Sequence, residues 1–282
     1  MRLTLLGVRG STPAPGPEFV RYGGHTSCVA VAADGQRPSL IIDAGTGLRS
    51  LPRLMGGEAF NGAVILGHLH WDHTMGLPFC RALDDTNSTV ELWIPAQGDT
   101  EEVLCRWMAP PHFPVTPMQL RGTWKFCAME PGLHRFDALE VLALEIPHKG
   151  GRTFGFKVSD GKSAFAYLSD HCPTMLGPGP SRLGEMHESA LALTRGCDLL
   201  IHDAQYLDEE LAERASFGHS AASYPVELAQ AAGVGRVLLY HHDPARTDNE
   251  IDALVGRYSD TPCVVEAAVE GSVIDLGGGS RS

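Results

Sequence analysis

Seven consecutive residues, Gly67-His68-Leu69-His70-Trp71-Asp72-His73, restrict this chain more than any other stretch. They directly follow the apolar, strand-like run Ala63–Leu66, which places them at the mouth of a buried strand. Residues two apart in an extended segment face the same way, so His68 and His70 present two imidazoles on one side. A turn then carries Asp72 and His73 round to a second point. Three imidazoles and a carboxylate left unpaired beside a core are costly. Divalent cations satisfy them: imidazole nitrogen with carboxylate oxygen suits Zn²⁺, and also Mn²⁺ or Fe²⁺. Four donors within six positions can serve two such ions.

The rest of the chain supplies a scaffold of alternating strands and helices. Strand-length apolar runs occur at Leu3–Val8, Leu40–Asp43, Val90–Ile94, Leu139–Ile146, Phe154–Val158, Ala164–Leu168, Leu199–Ile201, Val237–Tyr240 and Cys263–Ala267. Helical patterns lie between them at Thr46–Met55, Thr100–Met108, Glu185–Thr194, Pro225–Ala232 and Asp248–Tyr258. Pro225 sits where a first helical turn tolerates a missing N–H, and Gly233 marks a stop. Strand pairs mixed with strand–helix units predict an α/β sandwich, with helices covering packed sheets. The length of 282 residues and the absence of repeats or linkers predict a single domain over 1–282. Thr12–Pro17 and Gly177–Pro180 read as loops. Met108–Pro117 carries four prolines with His112 and Phe113; it is either a rigid loop beside a cleft or a surface connection.

A net charge of -12 disfavours nucleic acid and anionic membranes as partners unless a local patch or metal overrides it, and favours a small substrate. The seven cysteines include no C-x-x-C pair and read as reduced thiols. No apolar stretch approaches the ~20 residues that cross a bilayer, and the opening apolar run is too short for a signal peptide. The expected location is the cytoplasm.

The pattern H-x-H-x-D-H resembles the signature of the metallo-β-lactamase superfamily, and later segments follow that superfamily's order. His148 stands in Ile146-Pro147-His148-Lys149-Gly150-Gly151, Asp170 closes Tyr167-Leu168-Ser169-Asp170, and His241 ends Leu238-Leu239-Tyr240-His241. The resemblance implies a four-layer αβ/βα sandwich and two divalent metals, Zn²⁺ first. His68, His70 and His148 would hold one ion and Asp72, His73 and His241 the other, with Asp170 between them. His242 competes with His241, although strand alternation turns the two apart and allows only one to ligate. His171 and Cys172 flank Asp170 as bystanders or variant ligands. True β-lactamases carry cysteine at the bridging carboxylate's place, so Asp170 argues against that activity.

Leu200-Ile201-His202-Asp203-Ala204-Gln205-Tyr206 and Phe217-Gly218-His219-Ser220 are similar to the ribonuclease Z and phosphodiesterase branch, as are Gly7–Pro13 and Gly23–Cys28. There Asp203 and His219 would form a proton-donating pair. Asp43, in Asp43-Ala44-Gly45, resembles a carboxylate that braces the metal loop. The implied activity is hydrolysis of a small phosphodiester or cyclic nucleotide, with a hydroxide bridging the metals and Asp170 positioning it. No Lys/Arg-rich, Gly-Pro-tipped arm is present, which makes tRNA 3′ processing the alternative. Thioester or lactone hydrolysis and a non-catalytic metal-dependent sensor are the remaining alternatives. Homodimers are frequent in the superfamily, and nothing in the sequence marks an interface.

Overall fold

The computed structural model describes residues 1–277, so residues 278–282 of the expected domain lie outside the described residues. Six strands form in the first half: β1 (Arg2–Gly7), β2 (Cys28–Ala32), β3 (Leu40–Ile42), β4 (Asn61–Ile65), β5 (Thr89–Pro95) and β6 (Thr123–Met129). Between them lie α1 (Leu51–Leu54), α2 (Trp71–Thr74) and α3 (Thr100–Cys105). The second half gives β7 (Gly132–Phe136), β8 (Leu139–Glu145), β9 (Phe154–Ser159), β10 (Ala164–Leu168), β11 (Leu199–Asp203), β12 (Arg236–Tyr240) and β13 (Val264–Ala267). Its helices are α4 (Glu188–Thr194), α5 (Leu211–Arg214), α6 (Ser223–Ala232) and α7 (Asp248–Gly256), and β14 (Val273–Asp275) closes the described chain.

Two seven-stranded sheets result, ordered β14-β1-β2-β3-β4-β5-β6 and β13-β12-β11-β10-β9-β8-β7. Each is half meander and half parallel. β14, β1, β2 and β3 pair antiparallel, and β3 to β6 pair parallel. In the other sheet β7 to β10 pair antiparallel, and β10 to β13 pair parallel.

Strand alternation sorts side chains between an inner core and two outer ones. Leu40 and Ile42 join Phe165, Tyr167 and Ile201 between the sheets. Ile41 and Val64 face outward onto Leu48 and Leu51, while Ala166, Leu168 and Leu200 face Ala190, Leu193 and Leu228 of the helices. Strands covered on both faces must be apolar on both, which is why β3 and β10 read as continuous apolar runs. The four-layer αβ/βα sandwich implied by the sequence is the architecture observed.

Every strand run expected from the sequence forms a strand, and every helical pattern contains a helix. β2, β6, β7 and β14 were not among those runs. β6 and β7 leave alternate residues exposed or half-exposed and carry Lys125, His134 and Arg135, so their apolar signal is thin. The turn expected after His70 is the single helical turn α2, with Gly233 in the left-handed conformation (φ 74°) ending α6 as expected.

Candidate metal centre

The chemistry-bearing residues gather where strands end. Asp43 follows β3, the His68–His73 segment follows β4, Asp170 follows β10, Asp203 closes β11 and His241 follows β12. Ligands in open parallel sheets lie beyond these carboxyl ends. His148 joins them from the loop between β8 and β9. Two backbone bonds hold that loop in place: Phe154 N–H donates to Gly67 O (2.8 Å), and Cys172 N–H donates to Pro147 O (2.7 Å). Six non-glycine residues among those described have positive φ, and four of them, Ser11, Asp43, Asp170 and His241, lie at this site. Asp43 and His241 directly follow a strand and Asp170 comes one residue later; left-handed backbone there redirects the side chain at an energetic cost that the surrounding packing has to offset.

Three groups of donor atoms result, each with its atoms within 4.8 Å of one another: His68, His70, His148 and Asp170; Asp72, His73, Asp170 and His241; and Asp170, Asp203, His219 and His241. In the first, His70 Nδ1 and His148 Nε2 are 3.3 Å apart, and Asp170 Oδ1 is 3.6 Å from His68 Nε2. In the second, Asp170 Oδ2 lies 2.8 Å from His73 Nε2 and 3.2 Å from His241 Nε2, and Asp72 Oδ2 lies 3.2 Å from His241 Nε2. Asp170 thus turns one oxygen to each of the first two groups.

Three of the five imidazoles in the first two groups meet a partner through the other nitrogen. His73 Nδ1 lies 2.8 Å from Asp43 Oδ2, His148 Nδ1 donates to Gly218 O (2.7 Å), and His241 Nδ1 meets Gln205 Oε1 at 3.0 Å. Asp43 is itself held by Gly67 N–H (2.8 Å) and by the Tyr167 hydroxyl reaching across from β10 (2.6 Å). Ser11 N–H donates to Asp72 Oδ2 (2.7 Å), and a Cβ on neighbouring Gly10 would collide with the His241 ring. Gln205, Tyr167, Ser11 and the Gly218 carbonyl had no assigned role at the sequence level. Their parts arise from contact alone, and no residue-type signal announces them.

The electrostatics describe a place built for positive charge. Burial pushes His68, His70 and His148 below the usual imidazole range. Burial would push His73 and His241 down as well, but Asp170 and the neighbouring carboxylates raise His73 well above its ordinary value and His241 to about 9. Burial opposes ionisation of Asp170, yet His241, His73 and His68 hold it well below the carboxylate range. His68 Nε2 and His73 Nε2 are buried and make no hydrogen bond. Orphaned imidazole nitrogens facing shared carboxylate oxygens suit a pair of divalent cations, whose binding displaces the protons such ligands would otherwise attract.

Asp203 and His219 meet beside the first two groups. His219 Nδ1 is 2.7 Å from Asp203 Oδ2, and Asp203 Oδ1 accepts the N–H groups of Gln205 (3.1 Å) and Ser220 (3.2 Å). His219, Asp170, Asp72, His70 and Ser11 line one cavity of about 620 Å³. His242 turns away, with Nε2 on Ala268 O (2.9 Å), and Cys172 sits against Thr174 and Ala215. Neither belongs to a donor group. His171 instead starts a chain of three imidazoles: its Nδ1 meets His202 Nε2 (2.8 Å) and its Nε2 meets His187 Nε2 (2.7 Å). His202 Nδ1 donates to Asp203 O (2.7 Å), while His187 Nδ1 accepts the Ala190 N–H at the start of α4 (3.5 Å). These two ends fix the tautomers. Each ring donates towards Asp203, and all three are neutral, with burial the leading cause of their lowered values.

Fold and site together define an αβ/βα sandwich with a cluster suited to divalent cations at its strand ends. The family model described as a beta-lactamase superfamily domain matches residues 39–242, and the chain belongs to that superfamily of hydrolases. It is 27% identical over 274 residues to ribonuclease Z from Salinibacter ruber, covering 80% of this chain and 83% of that protein. A diphosphatase of the PhnP family superposes with TM-score 0.71 at 17% identity, covering 98% of this chain and 97% of the other. The metallo-beta-lactamase fold protein YhfI from Bacillus subtilis gives 0.70 at 18%, covering 97% and 99%.

Proposed function

We propose that the protein is a di-metal phosphodiesterase acting on a small phosphodiester or cyclic nucleotide. The single observation that carries this reading is the Asp203–His219 pair at 2.7 Å, in the same cavity as the Asp170-centred donor groups. His68, His70 and His148 would hold one cation, and Asp72, His73 and His241 the other, with Asp170 shared; zinc suits this nitrogen-rich set, and manganese or iron are compatible with it. Bound there, the cations supply Lewis acidity, which acidifies water and neutralises charge on the phosphorus centre. Asp170 orients the reacting groups from its position between the two sets. With Nδ1–H on Asp203, His219 in its imidazolium form would pass the Nε2 proton to the departing alkoxide and be left neutral. An ester whose leaving group is an alkoxide needs that proton, which a thioester, releasing a less basic thiolate, needs less.

The test is turnover by metal-loaded protein of bis(p-nitrophenyl) phosphate beside a thioester and a lactone. Asp170→Ala should abolish metal-dependent turnover, and His219→Ala should lower kcat on an alkyl phosphodiester by about 10²–10⁴-fold. Full activity in Asp170→Ala refutes the scheme, and tight binding without turnover points to a sensor. A second reading, tRNA 3′ processing, is favoured by the similarity to ribonuclease Z from Salinibacter ruber; cleavage of a tRNA precursor decides between the two. The seven cysteines are all free, which suits a reducing compartment such as the cytoplasm. Among the described residues no helix is long and apolar enough to cross a membrane.

A further inference from the structure

Beside the metal-binding cavity lies a second one of about 410 Å³, lined by Trp71, Phe79, Arg106, Trp107, His112 and Phe113 among others. Trp71 also lines the first cavity, standing between His70 and Asp72 in the chain. Arg106 and Trp107 continue into a smaller hollow of about 260 Å³ that reaches His68 and His70. The aromatic cavity is therefore an extension of the reaction site. Trp71 is 70% exposed and Phe79 is 64% exposed. Phe79 meets Phe113 edge-to-face, with ring centroids 5.8 Å apart at 83°. A concave cluster of large rings left open to water marks a binding site. No carboxylate lines it, in a chain with 34 acidic residues; its ionisable members are Arg106 and His112. The Arg106 guanidinium pairs only at the surface, with Glu102 at 3.3 Å. Stacking faces with a guanidinium and an imidazole at the rim select a planar, electron-rich ring that accepts hydrogen bonds. Met108–Pro117, which brings His112 and Phe113, is thus a loop beside the cleft.

The geometry points to an aromatic-ring subsite: the phosphodiester carries a nucleobase or an aryl group on one ester, and that ring occupies the space between Trp71, Phe79, Trp107 and Phe113 while the phosphate lies at the metal ligands. This inference rests on the phosphodiesterase reading and names its substrate class. Its test is calorimetric, on zinc-loaded full-length protein. AMP should bind about tenfold more tightly than ribose 5-phosphate, the scale of one stacked base. In Phe79→Leu and Phe113→Leu, which keep an apolar side chain and remove the ring, that ratio should fall towards one. Because the ratio is taken within each variant, a general loss of binding cancels. Benzyl phosphate against methyl phosphate separates the two sources: a matching preference means any aryl group fits, and a preference confined to AMP means a nucleobase. Equal affinities for AMP and ribose 5-phosphate, or an unchanged ratio in both variants, overturn the subsite. Failure of the zinc-loaded enzyme to cleave any phosphodiester overturns the function instead, and leaves the binding ratio to decide the subsite by itself.

Discussion

Asp43 braces His73 although it belongs to none of the donor groups. Its carboxylate meets His73 Nδ1 at 2.8 Å and accepts from Gly67 N–H and the Tyr167 hydroxyl. A partner of this kind sets the tautomer and raises the basicity of a ligand imidazole. Asp43→Asn should therefore weaken metal affinity about 10–100-fold, read by competition with a chromophoric chelator; unchanged affinity would remove Asp43 from the centre. His202 makes a pH prediction. Burial leads the causes that lower it to about 4, from about 6.5 in an unfolded chain. Between those values the unfolded state binds more protons, so stability is full above about pH 6.5 and declines as pH falls towards 4. His202→Gln cannot titrate, so in metal-free protein its urea midpoint should fall less than the wild type's over that window, and parallel curves would refute the neutral-chain description. At this scale His68, His70, Asp72 and His73 were legible because their types and spacing are unusual, and His148, Asp170 and His241 through the motif order of the family the chain resembles. Gln205 and Tyr167 were not, because glutamine and tyrosine are ordinary until a fold sets them against a histidine or an aspartate.

Among the elements, the strands do most of the placing and the helices mostly cover them. β3 and β4 end level in one sheet, β10, β11 and β12 end within a residue of one another in the other, and Asp43, Asp170 and His241 at these ends have left-handed backbone. Helix α7 shows a simpler local rule. Thr247 caps it in a reciprocal box: Glu250 N–H donates to Thr247 Oγ1 (3.4 Å), and Thr247 N–H donates to Glu250 Oε2 (2.7 Å). Thr247→Ala should cost about 1 kcal/mol, seen as a lower urea midpoint with the slope unchanged. Hydrogen bonds from Thr247 hold the Glu250 carboxyl below its usual range. That contribution is present above the unfolded value near 4.5 and is lost as pH falls through the lower folded value; Thr247→Ala keeps the backbone N–H and loses the Oγ1 bond to Glu250 Oε2 (2.8 Å), so the gap between wild type and variant should narrow in acid without closing. Strand and helix cores were legible as apolar periods. β6 and β7 were not, because edge and solvent-facing strands need only part of that pattern.

Over the whole molecule, two half-parallel sheets pack face to face, and the cluster forms only where their strand ends meet. The net charge of -12 acts at this scale. A small anionic diester approaches against a negative surface, so raising salt from about 20 to about 200 mM should leave kcat/KM level or raise it, as screening predicts. A precursor tRNA held through many phosphate contacts would instead lose orders of magnitude in affinity over that range, which makes the salt slope a second discriminator between the two readings. The sequence by itself determined the apolar periods, the layered α/β class and the donor-rich His68–His73 run, because each is written in residue types at fixed spacing, while His148, Asp170 and His241 were expected from the order of motifs in a family it resembles. The tertiary structure alone decided that Gln205 meets His241, that the Tyr167 hydroxyl and Gly67 N–H hold Asp43, and that Trp71 and Phe113, from distant segments, share one cavity. Those relations depend on how separate strand ends converge in space, and spacing along a chain carries no record of that distance.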